Sequence, residues 1–362
     1  MAGCDPVGAR DPARWIAIDA STAFTCALTP AGYAACWGAA YWDFPDFQPD
    51  PPDAVMPNSA TPILVPDGGP FVSLVVSGAD VCALDVIGAA RCWGANVLGT
   101  VGDGTFTARR TPVDLAGGRQ WRQLSSGLTH MCGVTTDQKA YCWGNNFSGT
   151  LGAGAFGGAS TIPVEVAGQH TFDGISAGTV STCALTPDGH AFCWGQNGSG
   201  ELGTGSTASS PFPVAVAGDL MFTSITVGGS FACGLASDAK AYCWGWNNSG
   251  RLGKGDTTVS TVPVPVLGEL AWAQLSAGGA HACGIAVGGD TYCWGLNNLG
   301  QLGDSTFDSA FQPKRVAASV ALVRVESGSR STCAIDNDGV AYCWGKGNPV
   351  PTRVEPPVAR PQ

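Results

Sequence analysis

Charge is scarce in this chain, and positive charge is scarcest. Only 13% of the 362 residues are charged, and 18 Lys and Arg stand against 28 Asp and Glu. A net charge of −10 leaves no basic stripe of the kind a nucleic-acid surface needs. Long apolar runs are also missing, so no stretch has the length of a membrane span. There are four histidines and no C-x-x-C, which argues against clustered zinc ligands. Helix-period stretches are few, because 52 glycines and 24 prolines interrupt them.

What is abundant is repetition. Seven cysteine pairs recur with nine residues inside each. They are Cys26 with Cys36, Cys82 with Cys92, Cys132 with Cys142, Cys183 with Cys193, Cys233 with Cys243, Cys283 with Cys293, and Cys333 with Cys343. Trp-Gly follows every second cysteine, at Trp37, Trp93, Trp143, Trp194, Trp244, Trp294 and Trp344. A period of about 50 residues held over the whole chain is the signature of a repeat architecture.

The unit is clearest from Cys183 to Cys193. Thr186-Pro187-Asp188-Gly189 reads as a type I turn followed by a left-handed glycine, a common hairpin loop. Counting outward from that loop, Thr186 faces His190 and Cys183 faces Cys193. Opposed residues at a non-hydrogen-bonded antiparallel site have Cα atoms about 4.5 Å apart, within reach of a disulfide. One disulfide per hairpin is expected, and with it an oxidising compartment. Gln138 and Ala239 replace the turn glycine in two units, so those two turns are expected to differ slightly.

Each unit begins with a large apolar residue (Trp15, Phe71, Trp121, Phe172, Phe222, Trp272 or Leu322) and a short β-type run. The hairpin follows, then in the middle units a glycine loop such as Gln196–Gly205, then a strand led by proline. Four short strands per unit, seven times over, predict an all-β, seven-bladed β-propeller over residues 15–354. Residues 1–14 form an N-terminal segment and 355–362 a tail. The odd cysteine, Cys4, ends an Ala-Gly-Cys that resembles a bacterial lipoprotein signal, so it is a candidate lipidation site.

The run from Gly278 to Ile285, with His281, and that from Tyr292 to Gly303, with Trp294-Gly295-Leu296-Asn297, resemble the regulator-of-chromosome-condensation repeat. The resemblance covers nearly the whole chain and implies a propeller whose ring closes through a shared blade. On that basis the strand near Pro351–Val354 should meet the one near Trp15–Asp19 in one sheet. Members that act on a small nuclear GTPase are intracellular and often carry a basic tail. This chain is acidic and adds a cysteine pair to every hairpin, so nucleotide exchange is not expected. The resemblance extends to secreted bacterial propellers, a β-lactamase inhibitory protein among them.

No catalytic trio stands out from the repeated positions, and no catalytic, metal or cofactor-binding residue is expected. His130 and His281 occupy one repeat position and read as the family's histidine, hydrogen-bonded within its blade. His170 and His190 lie in predicted turns and read as solvated. Gly250–Gly255 lacks the spacing of a phosphate loop, and Asp103, Asp256 and Asp304 lack calcium-loop spacing. Sequons at Asn146, Asn197 and Asn247 follow from the repeat itself. The repeated tryptophans read as packing between blades.

The break in the repeat says more about function. Trp37 and Trp93 are 56 residues apart, against 50 or 51 for the other intervals. The extra chain, Ala39–Asp53, carries Tyr41, Trp42, Phe44 and Phe47 among prolines and aspartates. Such aromatics suit either a recognition loop or a plug at the ring closure. Trp246, where three other units have Asn, Gln or Leu, is a second candidate. The expectation is a monomeric, extracytoplasmic, non-enzymatic scaffold that binds a protein partner. The alternatives are a glycan-binding lectin and an inhibitor of an envelope or secreted enzyme. Membrane contact is expected only through Cys4.

Overall fold

The computed structural model describes residues 14–22, 24–38, 59–355 and 357. Tyr41, Trp42, Phe44, Phe47 and Cys4 lie outside them. The described chain forms seven antiparallel sheets of four strands, each in chain order. Blade one comprises Ala17–Ala20, Phe24–Leu28, Ala34–Gly38 and Ser59–Leu64, from the innermost strand outward. Blades two to six repeat this order between Ser73 and Arg315. Blade seven runs from Leu322–Ser327 to Asn348–Arg353. The all-β, seven-bladed propeller is therefore what the repeat builds. Among the described residues no helix is long and apolar enough to cross a membrane.

The hairpin forms as its turn residues dictate. Thr186 N–H donates to His190 O at 3.0 Å, and Gly189, at φ 90°, donates to Thr186 O at 2.9 Å. Cys183 then pairs in register with Cys193. Every hairpin is stapled in the same way. Cys26 is bonded to Cys36, Cys82 to Cys92, Cys132 to Cys142 and Cys183 to Cys193. Cys233 is bonded to Cys243, Cys283 to Cys293 and Cys333 to Cys343. The Cα atoms of each pair are 4.0–4.1 Å apart, close to the separation that direct opposition implies. Gln138 and Ala239 keep the glycine's left-handed turn, at φ 65° and 64°, and its hydrogen bond to Thr135 O and Ala236 O. Those two turns differ from the others only in a smaller φ, held there by the closed hairpin.

The core lies between blades. Leu185 and Cys193 of blade four pack with Phe222 and Trp244 of blade five, and the same pattern recurs around the ring. Buried tryptophans also donate their indole N–H to the preceding blade's glycine loop. Trp194 reaches Thr150 O at 2.8 Å, and Trp294 reaches Arg251 O at 2.9 Å. Packing between blades is thus what the repeated tryptophan does.

Ring closure departs from expectation. The strand Asn348–Arg353 pairs with Ala341–Gly345 of its own blade, and Ala17–Ala20 pairs with Phe24–Leu28. Among the described residues no sheet is shared between the two ends. The seam closes by packing, with Trp15, Ile18 and Ala20 of blade one against Ile335, Ala341 and Val354 of blade seven. Trp15 N–H adds one hydrogen bond to Gly339 O at 2.6 Å. Among the described residues each repeat supplies all four strands of its own blade, so no strand is exchanged between the ends.

Candidate binding face and central channel

Consecutive antiparallel strands place two kinds of connection on one face of the disc. These are the glycine loops, which join third to fourth strands, and the tight turns that join first to second strands. The glycine loops are tied by a buried asparagine. Asn247 donates to Asp256 O and Thr258 O at 2.9 Å, and its Oδ1 accepts from Leu252 N at 2.9 Å. Asn96, Asn146, Asn197 and Asn297 do the same in their loops. The sequon asparagines are therefore internal struts.

Each loop also grips the next blade. Gly154 N–H donates to Pro211 O at 2.9 Å and Gly205 N–H to Thr261 O at 2.8 Å. This series runs from blade two to blade seven, where Ser305 N–H meets Pro349 O. Blade seven has only a tight turn, Gly345 to Asn348, at that place. In blade one the third strand stops at Gly38 and the fourth starts at Ser59, which pair as Gly195 and Ser210 do in blade four. Gly38 and Ser59 thus both lie at the glycine-loop face.

Trp246 sits on this face, 40% exposed, where it lines the mouth of the central channel. Its ring lies 4.9 Å from the Arg251 guanidinium, a cation–π distance. Arg251 is buried, donating from Nη1 to Gly229 O at 2.9 Å and from Nη2 to Asn248 Oδ1 at 2.8 Å. Burial lowers its pKa to about 10, still far above neutrality, so the buried charge persists. Arg251 thereby fixes the platform on which Trp246 rests. Sequence reasoning singled out Trp246 and passed over Arg251, whose signal was its place in Gly-x-Leu-Gly, occupied elsewhere by Thr, Glu or Gln.

The channel, about 1080 Å³, is lined by the innermost strand of every blade. Hydroxyls on these strands accept N–H groups from the next blade. Ser125 Oγ takes Ala177 N at 2.9 Å, Ser176 Oγ takes Val227 N at 3.0 Å, and Ser276 Oγ takes Ser327 N at 2.8 Å. In blade one the equivalent residue is Asp19, which accepts from Val76 N at 2.7 Å. In blade seven it is Glu326. Neither carboxylate was anticipated, although both fall four residues after the large apolar residue that opens each unit.

His130 and His281 reach across blade boundaries, to Thr182 and Thr332 at 2.8 Å, and not within their own blades as expected. His170 is also not simply solvated, since its ring lies 4.3 Å from that of Phe192. Asp103 pairs with Arg109, and Asp304 with Lys314. Among the described residues no group of three or more His, Cys, Asp or Glu is placed to hold a metal.

Fold and site together define a disulfide-stapled propeller of repeats with one loop-bearing face. Models of the regulator of chromosome condensation (RCC1) repeat match residues 188–235, 238–285 and 288–335, and a second model of that repeat matches 121–150, 172–201 and 222–251. The matches span more than half of the chain, which belongs to the RCC1 repeat family. No curated protein matches it. Among solved structures it resembles human WBSCR16, with a TM-score of 0.75 at 18% identity over 86% of this chain and 84% of that one. It resembles yeast RCC1 (Prp20), solved bound to Kap60, with a TM-score of 0.71 at 20% identity over 82% and 78%. The CRINKLY WD40 ectodomain of the Arabidopsis thaliana receptor kinase ACR4 gives 0.59 at 18% identity over 95% and 98%.

Proposed function

We propose that this chain is a non-enzymatic protein-binding scaffold of an oxidising, extracytoplasmic compartment, presenting its glycine-loop face to a partner. The observation that carries this reading is Trp246, which stands over Arg251 at the channel mouth, on the face where Gly38 and Ser59 flank the aromatic segment of blade one. Exposed aromatics on a rigid scaffold bind with little ordering cost. Tyr41, Trp42, Phe44, Phe47 and Trp246 are the proposed contact residues. Protein binding fits the RCC1 neighbours, since yeast RCC1 is solved bound to Kap60 and studied for binding to Gsp1p and histones. The seven disulfides support an oxidising setting. Cys4 is the proposed lipid anchor.

The test is affinity capture from a bacterial envelope extract, using the oxidised chain beside two variants. One carries Tyr41, Trp42, Phe44 and Phe47 changed to Ala, and the other carries Trp246→Ala. A protein retained by the parent and lost with either variant supports the loop face. Equal capture by all three moves the site elsewhere. No captured protein, with binding on a glycan array, replaces the reading with a lectin.

A further inference from the structure

The ring closes without a shared strand, and its innermost wall changes chemistry at that closure. In blades three to six the channel position is a serine or threonine whose oxygen accepts an N–H from the next blade. On the two sides of the seam it is Glu326 and Asp19. The innermost strands of blades seven and one, Leu322–Ser327 and Ala17–Ala20, pack against each other, and both acids line the channel there. Asp19 is held by Val76 N at 2.7 Å and by its neighbour Ala20 N at 2.8 Å. Glu326 faces Arg324 at 3.5 Å and Ser276 of blade six. Among the described residues, Arg324 is the cation that acts on both acids. Two carboxyls and one guanidinium are neutral together only when one proton is retained.

We propose that the seam between blades seven and one is a pH-sensitive closure, in which the Asp19–Glu326 pair holds the ring tightest while it keeps a proton and loosens it when both groups ionise. Like charges facing each other across a packed interface oppose its closure. Burial first and the Asp19 charge second push Glu326 up to about 8. Burial pushes Asp19 up to about 6, against its two backbone hydrogen bonds and Arg324. Both folded values lie above the unfolded ones, so the stability these groups confer is full below pH ~4. It is lost as pH rises through about 6 and 8. A serine at the same place, as in blade six, has no such loss.

The experiment follows the apparent melting temperature of the oxidised full chain from pH 5 to 9, for the parent, Glu326→Ser, Glu326→Gln and Asp19→Ser. The parent is expected to fall by about 2–4 °C more than Glu326→Ser across that range. Glu326→Gln should hold its stability at pH 9. Hydrogen exchange on the unmodified chain needs no substitution. After correction for intrinsic rates, amides in 17–20 and 322–327 should lose protection with rising pH, while those in 222–227 should not. Melting curves of parent and Glu326 variants that shift in parallel with pH, or equal exchange in all three segments, would overturn the proposal.

Discussion

His130 Nε2 lies 2.8 Å from Thr182 Oγ1, across the boundary between blades three and four. The threonine hydroxyl donates its one proton to Thr150 O at 3.0 Å, so the imidazole must be the donor. Nδ1 then carries the lone pair, and among the described residues it has no hydrogen-bond partner. His281 repeats the arrangement with Thr332, which donates to Gln301 O at 2.9 Å. Burial pushes His130 down to about 4, and burial with the Arg251 charge pushes His281 down to about 3. Both rings are neutral struts between blades.

An acid-side loss of stability follows from these two rings. An unfolded histidine takes up its proton near pH ~6.5, while the folded ones resist until far lower. Their contribution is therefore full above about pH 6.5 and lost as pH falls toward 4. Phe24 and Phe231 occupy the same repeat position, so phenylalanine fits there. Urea unfolding at about pH 4.5 and pH 7 should show a smaller difference for the double variant His130→Phe with His281→Phe than for the parent. An equal difference would place the acid sensitivity elsewhere.

Much of this fold was legible because it is written seven times. Cysteine spacing carried register and staple together, and Trp-Gly marked the blade boundary. Closure was not legible, since a strand near Pro351 pairs equally well with its own blade or the first one. The histidines were assigned to the wrong side of a boundary for a similar reason. Their repeat position is visible, but Thr182 lies about 50 residues away and its proximity is purely tertiary. Asp19 and Glu326 were legible in principle, by aligning the units on Trp15 and Leu322. With Val75 they are the departures from a serine or threonine at this position, and only their places on either side of the seam make them a pair.

Thiol chemistry offers a direct count. Fourteen of the fifteen cysteines are in disulfides, so denatured, unreduced protein should show one thiol where Cys4 is unlipidated and none where it carries the proposed lipid. Each bridge closes a short hairpin, so removing one should cost about 2–3 kcal/mol. The double variant Cys183→Ser with Cys193→Ser is expected to lose that much stability in urea unfolding and to leave the other six bridges intact. A variant as stable as the parent would mean that the hairpin's hydrogen bonds already hold it closed.

The asparagine strut predicts an asymmetry between two small changes. Asn247 uses its amide to donate twice and its oxygen to accept once, with its side chain wholly buried. Asn247→Ala leaves two carbonyls and one N–H unpaired, a loss of about 2–4 kcal/mol. Asn247→Asp keeps the shape but sets a carboxylate oxygen against Asp256 O and Thr258 O, so it should be worse at neutral pH. Chemical denaturation of the two variants decides this, and Asp tolerated better than Ala would contradict the assigned amide orientation.

Two glycines separate backbone crowding from mere abundance. A Cβ on Gly228 would stand 2.3 Å from Gly278 O, where the inner turns of blades five and six meet, and 2.4 Å from the Phe231 ring. Neither backbone can yield there, because Gly229 N–H is bonded to the same Gly278 O at 3.0 Å. Gly198, on the exposed loop, would meet nothing within 4 Å, and its φ is not in the left-handed region. Gly228→Ala should therefore destabilise by several kcal/mol, through displacement of a blade. Gly198→Ala should stay within about 1 kcal/mol of the parent and on the stabilising side, because it restricts the unfolded chain. Thermal unfolding of the pair is the check. A tolerated Gly228→Ala would show that the inner turns can slide, and hence that blades five and six are packed less tightly around the channel than their glycines imply.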